Sequence, residues 1–171
     1  MMITFFLLKV KIRQDLLCEK NTNILECFAG DGKIYDAIKS DNVTLFKIDA
    51  NEKFNVDYHG NCLEYIKNND ISKFNIIDLD SWGSPAKYIE LLKHKKYKGI
   101  VVCTYCSPVL MNPCKIICSN YYGRIYENTK RKTILNKDIG KMFRKYLIDS
   151  GFTEIKGYFT NKKVYCSFKI G

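Results

Sequence analysis

No stretch of this 171-residue chain is long and apolar enough to cross a bilayer, and acids are scarce, with 18 Asp and Glu against 28 Lys and Arg. The first shortage excludes a helical membrane protein. The second leaves a formal charge of +10, which suits a polyanionic partner such as nucleic acid. Internal repeats and low-complexity tracts are also missing. Nor is there a convincing leader: Met1 to Leu8 is apolar, but it is short, has no basic region ahead of it and lacks a cleavage site. Followed at once by Lys9, Lys11 and Arg13, it reads as a strand or as the start of a helix packed on the core. The expected location is cytoplasmic.

What is present points to a folded body. An apolar content of 46% and an aromatic content of 13% argue against disorder, and the length suits one domain over residues 1–171. The charge is concentrated. Between Pro113 and Lys145 nine Lys and Arg face only Glu127 and Asp138, within and beside a basic insertion at about 107–135. A solvated lysine-rich surface is the plainer account of that run. Of the eight cysteines, Cys18, Cys27, Cys62 and Cys166 sit singly in apolar surroundings and read as small core residues. Cys103-x-x-Cys106 and Cys114-x-x-x-Cys118 have the look of two halves of a zinc site. Cys103 ends a strand, however, and only seven residues separate the pairs, so reduced thiols and no metal are expected.

Strand and helix signals alternate, as in a parallel sheet covered by helices. Strands are expected at Ile24–Phe28, Val43–Ile48, Val56–His59, Phe74–Leu79 and Gly99–Thr104. Helices carry Tyr35 and Ile38, then Leu63 and Ile66, then Tyr88, Leu91 and Leu92. Ser107 to Leu135 has no clean period, and loops of that length are usually functional. Lys137–Ser150 is helical again and stops at Gly151. Phe152–Phe159 and Val164–Ile170 then pattern as an antiparallel hairpin.

The first strand runs into Glu26-Cys27-Phe28-Ala29-Gly30-Asp31-Gly32, a tight turn where glycine lets backbone approach a ligand. A dinucleotide fingerprint would need a third glycine where Tyr35 stands, and a phosphate loop would need Ser or Thr in place of Ile34. Glu26-x-Phe28-x-Gly30-x-Gly32 resembles the first motif of class I S-adenosylmethionine-dependent methyltransferases. The resemblance implies an α/β, Rossmann-like fold: a mostly parallel seven-stranded sheet, a C-terminal antiparallel hairpin and helices on both faces. It also implies S-adenosylmethionine as cofactor, with Gly30 and Gly32 under its methionine part, Glu26 at its ammonium and Asp49 at its ribose hydroxyls. Asn61 falls where the family reads adenine, and Phe28, Ala29, Ala50, Cys62 and Asp78 complete the cofactor set. The competing account of Glu26 and Asp49 is a strand-end cap or surface acid.

Asp78-Leu79-Asp80 sets two carboxylates on one side of a strand end. Ile77-Asp78-Leu79-Asp80-Ser81-Trp82-Gly83-Ser84-Pro85 resembles the Asp-Leu-Asp-Pro-Tyr/Phe-Gly-Ser-Pro motif of tRNA guanine-N2 dimethyltransferases. Val102 to Leu110, with Cys118 and Tyr121-Tyr122-Gly123, is similar to the stretch after that family's fifth strand. The likeness covers residues 23 to 123. It implies methylation of an exocyclic base amine, a poor nucleophile whose lone pair is shared with the ring. Asp80 would accept the amine's hydrogen bond and its proton, and Trp82 would stack on the base. Such a base must be unpaired or flipped out. Ser84 and Pro85 would flank the substrate, and Arg124, Lys130, Arg131 and Lys132 would grip its phosphates. Asp80 as a helix cap and Trp82 as core packing are the plainer accounts. The expected partners are a nucleic acid, RNA before DNA, and a protein that supplies specificity; no membrane is expected. A silent cofactor- or RNA-binding protein, and a methyltransferase for small molecules or proteins, compete with this reading.

Overall fold

The computed structural model describes residues 5–17, 21–38, 41–81, 83–106, 139–160 and 163–171. Among these residues there are seven strands: β1 Thr22–Cys27, β2 Val43–Asp49, β3 Tyr58–His59, β4 Ile76–Leu79, β5 Gly99–Cys106, β6 Thr153–Phe159 and β7 Lys163–Ile170. The helices are α1 Phe5–Gln14, α2 Lys33–Asp36, α3 Cys62–Asn68, α4 Ala86–His94 and α5 Ile139–Asp149. The strands lie in the order β3-β2-β1-β4-β5-β7-β6. β1 to β5 pair in parallel, whereas β7 runs antiparallel to both β5 and β6. That is the parallel sheet with a closing hairpin expected from the sequence. The basic insertion at about 107–135 lies outside the described residues.

Alternation along the strands divides the core into two layers. Leu25, Cys27, Ile77, Leu79, Val101 and Cys103 face α3, α4 and α5, where Ile66, Ile89, Leu92, Phe143 and Leu147 meet them. The intervening residues Ile24, Ile76 and Val102 point to the opposite side and pack with Ile12 of α1 and Tyr35 of α2. From Phe5 onward the amino-terminal stretch is therefore a helix, which resolves the choice between strand and helix for the described residues. Helices cover both faces. None among the described residues is long and apolar enough to cross a membrane.

Boundaries shift where local geometry overrides pattern. β1 ends at Cys27 because Phe28 turns into the left-handed region, φ 63°. β3 keeps only Tyr58 and His59 of its expected four residues. β4 begins at Ile76; Phe74 packs instead against Phe46, ring centroids 6.0 Å apart. Close backbone contact fixes the carboxyl-terminal hairpin: a Cβ on Gly157 would meet Tyr165 O at 2.2 Å, and one on Gly140 of α5 would meet Thr160 O at 2.4 Å.

Candidate active site

The turn after β1 places three residues at positive φ within five positions: Phe28 at 63°, Gly30 at 57° and Gly32 at 74°. Glycine takes this conformation freely, whereas Phe28 takes it against a cost of about 1–3 kcal/mol. Its ring packs edge-on to Tyr88, centroids 5.5 Å apart and planes at 90°, which offsets part of that cost. A Cβ at Gly30 would meet nothing within 4 Å, so the space over the loop is open to a ligand. At Gly32 it would approach Lys47 Nζ at 3.1 Å.

β2 delivers Asp49 to this loop. Its Oδ2 accepts the Gly30 N–H at 2.9 Å, its Oδ1 accepts the Asn51 N–H at 2.8 Å, and its carbonyl accepts the Gly60 N–H at 2.9 Å. Each carboxylate oxygen keeps a further lone pair, enough to receive two hydroxyl protons. Ala29 is buried and ties the loop to β2 by donating to Ile48 O at 3.0 Å; Ala50 is exposed at the rim. Asn61 is exposed, but its carbonyl oxygen already caps α3 by accepting the Leu63 N–H at 2.8 Å. Cys62 is buried under the loop, where a hydrogen bond from Cys27 and the Phe28 N–H pull its thiol down, while the same bond and burial push Cys27 up. Its surroundings are those of a core residue.

On the α1 face, Glu26, Asp78 and Asp80 come together with four side chains that sequence reasoning did not single out for the site. Arg13, 2% exposed, makes a two-pronged contact with Asp78, Nε to Oδ2 at 2.5 Å and the second nitrogen to Oδ1 at 2.7 Å. The Tyr35 hydroxyl donates to the same Oδ2 at 2.7 Å. Asp78 was expected to face the cofactor; instead it is enclosed, and both oxygens are engaged in anchoring α1 and α2. Burial opposes the Arg13 charge, but Asp78 outweighs it and holds the guanidinium firmly protonated.

Glu26 is 4% exposed, and its Oε2 is buried without a hydrogen-bond partner. Burial first, then the Asp78 charge, push its carboxyl up to about 8, against a weaker opposing pull from Lys47. Asp80 behaves in the opposite way. Burial pushes it up, but Arg13 and Lys9 together outweigh that and hold it below the ordinary carboxylate range. Lys9 Nζ stands 2.7 Å from Asp80 Oδ2. Two carboxyls on one face are thus poised in different protonation states near neutrality, Glu26 largely neutral and Asp80 ionised.

Ser84 and Pro85, expected beside a substrate, start α4: Pro85 is its first flanking residue, and Ser84 Oγ accepts the Ala86 N–H at 3.3 Å. Trp82, Arg124, Lys130, Arg131, Lys132, Cys18, Cys114 and Cys118 lie outside the described residues. Cys103 meets Cys166 across the β5–β7 pair, sulfurs 3.6 Å apart. No cluster of three His, Cys, Asp or Glu suited to a metal occurs among the described residues.

No family model matches the sequence, and no curated protein matches it. Solved structures do resemble it. A SAM-dependent methyltransferase from Archaeoglobus fulgidus superposes with a TM-score of 0.56 at 16% identity, covering 95% of this chain and 93% of that one. A putative caffeoyl-CoA O-methyltransferase from Staphylococcus aureus gives 0.56 at 17%, covering 99% and 85%. TrmK of M. capricolum, bound to the cofactor product S-adenosylhomocysteine, gives 0.52 at 13%, covering 99% and 69%. With its strand order, these likenesses show that the chain has the Rossmann-like fold of the class I S-adenosylmethionine-dependent methyltransferases.

Proposed function

We propose that this protein is an S-adenosylmethionine-dependent methyltransferase whose target is an exocyclic amine of a nucleic-acid base, RNA before DNA. The observation that carries the reading is the ionised, mostly buried Asp80 at the end of β4, on a sheet whose glycine turn is bound to Asp49 across β1 and β2. The residues present fit the cofactor. Gly30 leaves open space, Asp49 retains acceptor capacity for two ribose hydroxyls, and the orphaned Glu26 Oε2 would gain a partner in an ammonium group. When bound, S-adenosylmethionine supplies an activated methyl group on a sulfonium.

Asp80 would accept a hydrogen bond from the amine, concentrate its lone pair on nitrogen and take the proton as the nitrogen–carbon bond forms. A low basicity suffices, because a methylated ring amine in its cationic form is strongly acidic. The Asp-Leu-Asp and Gly-Ser-Pro residues around Asp80 support a tRNA-like base, by resemblance to the guanine-N2 dimethyltransferases. The charge of +10 supports a nucleic-acid partner. A second protein that supplies specificity belongs to the same reading.

The test is incubation with labelled S-adenosylmethionine and total RNA or, separately, DNA, followed by mass spectrometry of the nucleosides. A methylated base amine that vanishes in Asp80→Asn, with cofactor affinity retained, is the expected result. Cofactor binding without transfer to either nucleic acid would instead leave a binding protein on this fold or a methyltransferase for another substrate. For the binding-protein reading Ser81, standing where the resembled motif has proline, is the relevant departure.

A further inference from the structure

The two oxygens of Asp80 have different surroundings. Oδ2 holds Lys9 Nζ at 2.7 Å. Oδ1 is buried and makes no well-formed hydrogen bond; the same is true of the hydroxyls of Thr104, 4% exposed, and Ser81, 6% exposed. Thr104 reaches the same place from β5, since Leu79 pairs with Cys103 and the next residue of each strand follows in step. It is near enough to help hold the Asp80 carboxyl down. A buried carboxylate oxygen with no well-formed hydrogen bond, on a residue that the Thr104 hydroxyl approaches, is an arrangement that asks for a polar ligand.

Lys9 arrives there through a match of repeats. Arg13 grips Asp78, and it also donates to Lys9 O at 2.9 Å, closing the turn between them. Four residues of helix advance about 6 Å and two residues of strand about 6.6 Å. With Arg13 fixed on Asp78 and α1 running against β4, Lys9 must land beside Asp80.

We infer that α1 is part of the reacting site: Lys9 is the positioning residue that fixes Asp80 through Oδ2, so that Oδ1 is the oxygen offered to the target amine. This rests on the methyl-transfer reading above and names further residues for it. In the step, the amine nitrogen bonds the methyl carbon as the carbon–sulfur bond breaks with its electron pair to sulfur, leaving a neutral thioether. The proton shed by nitrogen passes to Asp80 Oδ1 and then to water. Lys9 stays bound to Oδ2 throughout. Among the described residues, the charged or titratable groups facing Asp80 are Lys9 and Arg13 on α1, Glu26 on β1, Asp78 on β4, Cys106 on β5 and Tyr165 on β7.

The test compares wild type, Lys9→Met and Lys9→Arg as full chains. Turnover with S-adenosylmethionine and total RNA is followed against pH, and the carboxyl carbon of Asp80 is titrated by NMR. Lys9→Met should lower kcat at least tenfold and move both the acid limb of the profile and the Asp80 titration up by about one pH unit. Lys9→Arg should restore them. Unmoved titration, or a Lys9→Met variant as active as wild type or more so, would overturn the inference; greater activity would mean that Lys9 blocks the amine's place. Should wild type methylate neither RNA nor DNA while Asp80 still titrates later in Lys9→Met, the methyl-transfer reading falls and the hold of Lys9 on Asp80 stands.

Discussion

Glu26 and Phe28, two residues apart, each carry a local cost that a stability-driven sequence would avoid. Phe28 bends through a left-handed conformation, and Glu26 lies buried with one oxygen unsatisfied. Strain and orphaned polarity of this kind gather where a ligand is to be held. The Glu26 carboxyl, raised from 4.5 to about 8, has a stability consequence with a definite sign. Between those values the folded chain keeps a proton that the unfolded chain has lost, so stability is full below about pH 4.5 and falls as pH rises toward 8. Glu26→Gln removes the ionisable group, so it should flatten this slope and raise the unfolding free energy at pH 7 by roughly 3 kcal/mol. The same change should weaken S-adenosylmethionine binding, because an amide cannot shed a proton and become an anion as an ammonium group arrives, whereas the Glu26 carboxyl can. Urea titrations at pH 5 and pH 7 with calorimetric binding check both; an unchanged slope would mean that Glu26 is ionised in the folded state. At this scale the sequence was informative about Glu26, Gly30 and Asp49, whose spacing places them on strand ends and a turn. It said nothing of Lys9, Arg13 or Thr104 as site residues, because a lone basic side chain on a short helix looks like any solvated charge until its partner is known.

Elements show why Asp78 and Asp80, so alike in sequence, differ in role. Alternation correctly put both on one side of β4. It could not show that α1 would cover that side, since α1 lies outside the stretch that resembles known motifs. Once α1 is placed, Asp78 becomes a fully buried counter-ion, whereas Asp80 is mostly buried and keeps a small exposed fraction beside Lys9. The Arg13–Asp78 contact predicts an asymmetry. Arg13→Ala leaves an uncompensated buried carboxylate and should cost about 3–5 kcal/mol, with the Tyr35 hydroxyl recovering little of it. Arg13→Met with Asp78→Leu removes both charges, and it should cost clearly less than the single change. Chemical denaturation of the three proteins settles this; equal losses would show that packing of the Arg13 stem, rather than its charge, holds α1. The parallel strands and the carboxyl-terminal hairpin were legible because their burial follows a two-residue rhythm. Their ends were not: Phe28 continues the apolar pattern after β1 has turned away, and Phe74 begins it before β4 starts, held by Tyr88 and by Phe46 respectively.

Taken whole, the molecule combines a fold shared by enzymes for many substrates with an excess of positive charge, and the charge is what distinguishes nucleic acid from a small metabolite. A protein that neutralises phosphates releases counter-ions, so its affinity falls with salt by a slope of about 0.7 per phosphate for a single strand. RNA binding by this chain should therefore weaken steeply between 50 and 200 mM salt, roughly tenfold for every two to three phosphates engaged. Replacing Lys130, Arg131 and Lys132 together by alanine should reduce the logarithmic slope by about 2, if each neutralises one phosphate. Affinity at low salt should drop with it. Asp80→Asn should leave the slope untouched while abolishing transfer, because in the proposed reading Asp80 acts on the amine and the three basic residues on the backbone. A flat salt response in wild type, with turnover on a small amine-bearing metabolite, would assign the charge to solubility and the site to another substrate.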